Sequence, residues 1–222
     1  MLKKIFYILI LICFSTCSPA IQTSSTTTNA LTQHKTIAIL PIKIELTSKL
    51  RKTNNFNSQE IEELKRYMSI APQGHLYESI IKKQKRFPYT VSIQSADFTN
   101  SILSSKKISF SEVFTGDKKE LCKILGVDAI LSPQAIFGKQ QNSSINDLVS
   151  PGEMEMTVII FDSVFTQSVW RFNHTKKYNT KDILTQTQYT AENKYQEVLL
   201  PWIRTVDDMF QTFTAGFPYK KK

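Results

Sequence analysis

Short runs of apolar and β-branched residues recur along the chain and predict the strands of a sheet. Residues 36–42 are almost entirely apolar and include a proline, residues 89–94 alternate strictly, and residues 127–134 form a third run. Further on, residues 153–161 and 168–175 flank a short turn, and each presents an apolar side. These last two segments predict a hairpin in the carboxyl-terminal half.

Between and after these runs, apolar residues recur at helical spacing. The predicted helices begin at Ser58, Gly74, Ser95 or Asp97, Asp117 and about Ala191. The fourth is expected to stop at Gly126, and Pro201 is expected to kink or divide the last one. Polar residues 43–57 and 138–152 predict loops. The order of elements predicts a single α/β domain with a mixed β-sheet covered by helices, a C-terminal hairpin and a long final helix.

The amino terminus has the pattern of a secretory signal peptide. Lys3 and Lys4 precede an unbroken apolar run at residues 5–14, and small polar residues follow. A permanent transmembrane helix is disfavoured because a hydrocarbon core needs about 20 apolar residues. We therefore predict that residues 1–16 are a signal peptide that is removed from the mature protein.

Residues 14–17, Phe-Ser-Thr-Cys, resemble the lipobox of bacterial lipoproteins, in which the cysteine becomes the lipidated first residue. The resemblance implies lipidation of Cys17, whose acyl chains would hold the domain at a membrane without spanning it. Phe14 and Thr16 differ from the usual Leu and Gly or Ala. Cleavage after Ala20, which gives a soluble exported protein, is therefore the alternative.

Composition divides the rest of the chain into three parts. Residues 17–34 are rich in Ser, Thr and Asn and predict a lipid anchor with a flexible tether. Residues 35–217 are predicted to form the α/β domain, and residues 218–222 are predicted to form a basic tail. The chain of 222 residues has a net charge of +9, which falls to +7 without Lys3 and Lys4 and to +4 without the three tail lysines. The folded body is only mildly basic.

The sequence offers few candidates for catalysis or metal binding. With 41% apolar residues, 6 Gly and 8 Pro, it excludes collagen-like, fully disordered and multi-span membrane proteins. It contains no glycine-rich phosphate loop and no nucleophile-elbow pattern. Three histidines lack metal-ligand spacing and are expected at surface or partly buried positions: His34, His75 and His174. We predict no catalytic, cofactor-binding or metal-binding residues, and no cofactor.

Four other polar residues have structural interpretations. Cys122 lies on the apolar side of an amphipathic helix, so we expect a buried, inert thiol. Asp128 follows a helix-to-strand turn and is expected to accept hydrogen bonds from nearby backbone amides. Glu60 and Glu63 are one helical turn apart but lie among other charged residues, which predicts a solvated face.

Two basic segments, residues 82–86 and 219–222, are candidates for contact with an anionic partner. Export across a membrane removes the usual nucleic-acid partner, so we predict no nucleic-acid binding. Anionic lipid headgroups and envelope polymers are the nearer partners. The sequence favours the simpler interpretation of a solvated, solubilising tail.

Three segments together resemble a known group of proteins. They are residues 37–41 (Ile-Ala-Ile-Leu-Pro), residues 120–131 around Gly-Val-Asp, and residues 161–170, which end in tryptophan. They are similar to segments of bacterial envelope lipoproteins of the curli-secretion type, of the penicillin-binding-protein activator lipoproteins and of the TolB amino-terminal domain. The resemblance covers roughly residues 35–172 and implies a small α/β fold.

The resemblance also implies a role and a location. It predicts a non-enzymatic, membrane-anchored lipoprotein whose α/β domain binds another envelope protein, in an assembly, secretion or cell-wall accessory role. The expected location is the bacterial cell envelope, with the lipid anchor in the outer membrane and the domain facing the periplasm. A homo-oligomer is compatible with this role.

The alternative is an exported soluble hydrolase or small-ligand-binding protein. Its site would lie in the loops at the carboxyl ends of the strands, at residues 41–50 and 132–141. It predicts a deep polar pocket there, with Lys43, Gln134 and Lys139 as binding residues.

Overall fold

The computed structural model describes residues 20–22, 25–47, 57–140, 152–165, 167–178 and 196–221, and within them seven strands and six helices. The strands are β1 (Ala20–Gln22), β2 (Thr36–Ile39), β3 (Lys43–Leu46), β4 (Ser92–Ile93), β5 (Ala129–Gln140), β6 (Gly152–Asp162) and β7 (Ser168–Tyr178). The helices are α1 (Ser25–Gln33), α2 (Ser58–Gln84), α3 (Ala96–Ser105), α4 (Phe110–Thr115), α5 (Lys118–Leu125) and α6 (Gln196–Ala215). The predicted signal peptide and Cys17 lie outside the described residues.

The seven strands form one mixed sheet in the order β1-β7-β6-β5-β2-β4, and β3 pairs with β5 beyond the end of β2. β2 pairs in parallel with β4 and β5, β3 pairs in parallel with β5, and the other pairs are antiparallel. The predicted fold class is confirmed, including the hairpin and the long final helix. The predicted loop is wrong at residues 43–46, because Ile44 and Leu46 are buried in the core and draw this segment into the sheet as β3.

Pro41 separates β2 from β3. In β2, Ile37 pairs with Ala129, and in β3, Lys43 pairs with Gln134, so the β2–β3 segment holds one residue more than the facing stretch of β5. Proline has no amide hydrogen to donate to a sheet. The extra residue is a bulge that carries the chain past the proline and resumes the pairing with β5.

α2 is a single helix of 27 residues, so the predicted division into two helices is wrong. A proline inside a helix, here Pro72, costs about 3 kcal/mol because it removes an amide and crowds the preceding turn. Hydrogen bonds to the sheet offset this cost. The Ile42 amide donates to the Ser69 carbonyl at 3.1 Å, and the Ser69 hydroxyl donates back to the Ile42 carbonyl at 2.5 Å. Gln73 donates to the Ile39 carbonyl at 2.7 Å.

The sheet lies between two helical layers of unequal size. Buried residues of α2 and α6 form the larger core with one face of the sheet, and α3, α4 and α5 form a smaller core with Ala38, Leu40 and Ile130 on the other face. α6 continues through Pro201, so the predicted division there is wrong. Beyond the proline, a fully buried stripe that includes Trp202 holds α6 against the sheet. Residues 191–195, where this helix was expected to begin, lie outside the described residues.

The segment predicted as a flexible tether contains two ordered elements. β1 pairs with β7 through Ala20 and Asn173, and α1 contacts the same strand. Backbone pairing with a strand supplies order that a Ser- and Thr-rich composition does not predict. The structure therefore extends the folded body to the amino-terminal side of residue 35.

Candidate functional site

The smaller helical layer leaves part of the second sheet face open. Where β3, β5, β6 and β7 extend beyond α3, α4 and α5, their outward side chains form two rows across the strands. One row is Lys43, Gln134, Thr157 and Asn173, and the next is Glu45, Ile136, Glu155 and Thr175. All eight are half-buried or exposed, and together they define what we call the open sheet face.

The open sheet face is shallow. A depression of about 70 Å³ lies between the two rows, with Lys43, Gln134 and Thr157 on one side and Glu45 and Glu155 on the other. This volume holds about two water molecules and is far below the roughly 300–1,000 Å³ of ordinary ligand pockets. The face therefore suits contact with a second surface better than enclosure of a small molecule.

Charges of opposite sign lie in neighbouring rows. Lys43 forms an ion pair with Glu45, with 3.3 Å between the ammonium nitrogen and the carboxylate oxygen. Next to this pair, the Lys118 ammonium donates to the carbonyls of Val113 and Phe114 at the end of α4, at 2.9 and 2.8 Å. Burial lowers the pKa of Lys118, and the positive charge of Lys43 lowers it further. Two cations therefore border one side of the open sheet face, and two carboxylates lie in the next row.

A second polar cluster is buried at the other end of the sheet. His34 lies between Tyr219 and Asp162, with 2.5 Å from Nδ1 to the tyrosine hydroxyl and 2.5 Å from Nε2 to the carboxylate. The three residues are only 3%, 1% and 4% exposed. The other carboxylate oxygen accepts the amides of Val164 and Phe165 at 2.5 and 3.0 Å. We call His34, Tyr219 and Asp162 the buried triad.

Tyr219 keeps its proton within the buried triad. Burial raises the pKa of Tyr219, and the nearby Asp162 carboxylate raises it further, so the hydroxyl stays protonated at neutral pH. His34 is hydrogen-bonded to both other members, and all three side chains are shielded from solvent. The triad therefore joins the end of α1, the β6–β7 turn and the carboxyl-terminal segment.

Two sequence predictions about single residues are confirmed. Asp128 accepts the amides of Lys35 and Thr36, each at 2.8 Å, as expected for a structural carboxylate. Burial acts to raise its pKa, but these amide bonds together with nearby positive charge, including that of Lys35, outweigh burial and lower it. Cys122 is fully buried, and burial raises the pKa of its thiol to about 12, so it is inert at neutral pH.

The histidines do not converge. His75 is exposed beside Asp207 at 3.3 Å, and His174 is half-buried, with a pKa that burial lowers. His34 is buried, so its expected surface or partly buried position is wrong. It is held in the interior by Asp162 and Tyr219, which lie 128 and 185 positions further along the sequence. Among the described residues, no group of three metal-ligating side chains lies close enough to hold an ion.

Lys43 and Gln134 are paired on the adjacent strands β3 and β5, so they are close together, as the ligand-binding alternative expected. They line the shallow depression, however, and not the deep polar pocket that this alternative predicts. The Lys139 side chain and residues 141–151 lie outside what the structure describes. Within the described ranges, no helix is both long and apolar enough to cross a membrane.

Comparison with known proteins gives similarity in structure only. No protein-family model and no curated protein matches the chain. Among solved structures, lipoprotein GNA1162 from Neisseria meningitidis is 11% identical with a TM-score of 0.41, and the match covers 78% of this chain and 99% of that one. A PelC dodecamer from Paraburkholderia phytofirmans is 7% identical with a TM-score of 0.42, and the match covers 92% of this chain and 99% of that one. The LpoB C-terminal domain from Salmonella enterica is 10% identical with a TM-score of 0.31, and the match covers 64% of this chain and 82% of that one.

The neighbours thus include a lipoprotein and LpoB, a member of one group that the sequence resembles. With TM-scores below 0.5, these similarities carry no argument about family, partner or assembly. The resemblance to curli-secretion lipoproteins and to TolB stays a prediction.

Proposed function

We propose that this chain is a non-enzymatic, membrane-anchored lipoprotein of the bacterial cell envelope whose α/β domain binds another envelope protein through the open sheet face. The observation that supports this proposal is the partial covering of the second sheet face. Helices α3, α4 and α5 pack on one end, while four strands present polar and charged side chains at the other end.

The form of the open sheet face suits a protein partner. Strands lie about 4.8 Å apart, so four strands span about 15 Å in a rigid register. Half-buried Ile136 lies between Glu45 and Glu155, which gives an apolar centre within a charged surround. Protein interfaces commonly combine a dehydrated centre with a polar rim. A partner with the opposite order of charges, acidic opposite Lys43 and basic opposite Glu155, fits this surface.

Site-specific crosslinking in cells tests the proposed interface. We expect a photo-crosslinking amino acid at Thr157 to give one covalent adduct of defined mass, and the same residue at exposed Arg66 on α2 to give none. Lys43→Glu should abolish the Thr157 adduct by reversing a charge of the face. Lys65→Glu is the matched control, because Lys65 also forms a surface ion pair, with Glu62 at 2.8 Å.

Equal adducts from Thr157 and Arg66, or an adduct that survives Lys43→Glu, would overturn the assignment of this face. Thermal unfolding of each variant shows whether a lost adduct reflects lost folding. The anchor is tested separately, because Cys17 lies outside the described residues.

A further inference from the structure

The structure unites the two basic segments that are far apart in the sequence. The carboxyl-terminal residues lie along the chain that follows α2. The backbones of Lys220 and Tyr89 form an isolated antiparallel β-bridge, and the Lys221 amide donates to the Pro88 carbonyl at 2.9 Å. The Lys220 ammonium lies 5.6 Å from the centre of the Phe87 ring. We define the basic patch as the six cations of these two segments: Lys82, Lys83, Lys85, Arg86, Lys220 and Lys221.

The cations of the basic patch lack acidic partners. Among the described residues, none of the six forms a salt bridge with a carboxylate. The Lys220 ammonium instead donates to the Ala215 carbonyl. Burial lowers the pKa of Lys220, and the nearby charge of Lys83 lowers it further, so the two basic segments are close enough to repel each other. An anion bound between them relieves this repulsion.

Phe87 identifies the kind of anionic partner. Its side chain is 51% exposed although it is a large apolar group, the Lys220 ammonium lies over its ring, and Lys85 and Arg86 immediately precede it in the chain. A soluble polyanion neutralises the cations but leaves the ring in water. A bilayer surface offers phosphate groups to the cations and an apolar layer beneath them to the ring.

We propose that the basic patch docks the domain on an anionic phospholipid surface, with Phe87 inserted at the level of the headgroups. The patch lies beside β4, which pairs with the beginning of β2, whereas the open sheet face begins at Lys43 in β3. The two surfaces are therefore at different ends of the sheet. Membrane docking and protein binding can occur together, and docking does not depend on an acyl chain.

Vesicle co-sedimentation tests this proposal on residues 18–222, produced without the signal peptide and Cys17, so that neither the apolar run nor an acyl chain contributes. The probes are vesicles of phosphatidylcholine alone and vesicles of phosphatidylcholine with phosphatidylglycerol. We expect binding only to the anionic vesicles, and binding that weakens as salt is added. Each lysine or arginine near an anionic surface strengthens binding about fivefold. Lys85→Gln with Arg86→Gln should therefore weaken it about 25-fold.

Lys106→Gln with Lys107→Gln is the matched control, because it removes the same charge from an exposed site at the end of α3. This control should retain most of the binding, and Phe87→Ala should weaken vesicle binding without lowering the melting temperature. Equal binding to both vesicle types, or equal losses in the two double variants, would overturn the proposal. Unchanged vesicle binding by Phe87→Ala, with polyphosphate bound as tightly as vesicles, would assign the patch to a soluble polyanion instead. Because crosslinking at Thr157 tests the other surface, the two proposals can fail separately.

Discussion

Tyr219→Phe tests whether the buried triad holds the carboxyl terminus to the fold. The substitution removes one hydroxyl and keeps the ring, which packs on Phe217 with centroids 5.4 Å apart. It leaves His34 Nδ1 buried without the hydrogen-bond partner that now lies 2.5 Å away. An unsatisfied buried polar group costs about 1–3 kcal/mol. Because 1 kcal/mol shifts the melting temperature of a domain this size by about 2–4 °C, a loss of about 2 kcal/mol should lower it by about 4–8 °C.

The assay is thermal or urea unfolding followed by circular dichroism near neutral pH. Tyr67→Phe is the matched control, since it removes the same hydroxyl group from a residue that is 58% exposed. The control should change stability by less than about 0.5 kcal/mol. If Tyr219→Phe unfolds at the same midpoint as the control, the His34–Tyr219 hydrogen bond does not stabilise the fold.

Three further predictions concern buried groups. The raised pKa of Tyr219 means that folding favours its protonated form, so this contribution to stability is complete below about pH 10 and is lost as pH rises. Tyr219→Phe should therefore flatten the fall in unfolding free energy above pH 10. Parallel curves of unfolding free energy against pH for the two proteins would refute this. The Cys122 thiol, with a pKa of about 12, should resist a thiol reagent until the protein unfolds, whereas rapid labelling of the folded protein at neutral pH would show an accessible thiolate. Phe210→Ala should cost about 3–5 kcal/mol through the cavity it leaves under α6, and an unchanged melting temperature would place this fully buried ring outside the core.

Elements with local sequence signals could be predicted. α5 begins after an Asp117 side chain that accepts the Lys119 amide, and it ends at Gly126, whose φ of 67° suits glycine. The Ser95 cap of α3 and the hairpin were predicted on similar local grounds. α4 was missed although its signal is present, because Ser109 and Glu112 form a capping box.

Elements that depend on distant partners could not be predicted. β3 exists because Lys43–Leu46 pairs with β5, and the continuity of α2 through Pro72 depends on bonds between Ser69 and Ile42 in a different element. β1 is similarly stabilised by pairing with β7. Single-sequence patterns carry the propensity of each segment but not the register of its partner.

The candidate sites show the same distinction. Lys43 and Gln134 were singled out from the sequence because both were expected at the carboxyl ends of strands, and parallel pairing of β3 with β5 makes them neighbours. The pairing of His34 with Tyr219 joins residues 185 positions apart, and no spacing in the sequence indicates it. The union of the two basic segments likewise depends on the bridge between Tyr89 and Lys220.

The most direct test of a membrane-anchored envelope lipoprotein is the intact mass of the mature protein from a membrane fraction, compared with that of Cys17→Ala. The predicted result is a chain that begins at Cys17 and carries a diacylglyceryl group and an amino-terminal acyl group. The variant should lose the added mass, and it should lose retention in the membrane fraction once a high-salt wash has removed electrostatic docking through the basic patch. An unmodified soluble chain that begins near Ile21 would contradict the anchor and favour an exported soluble protein.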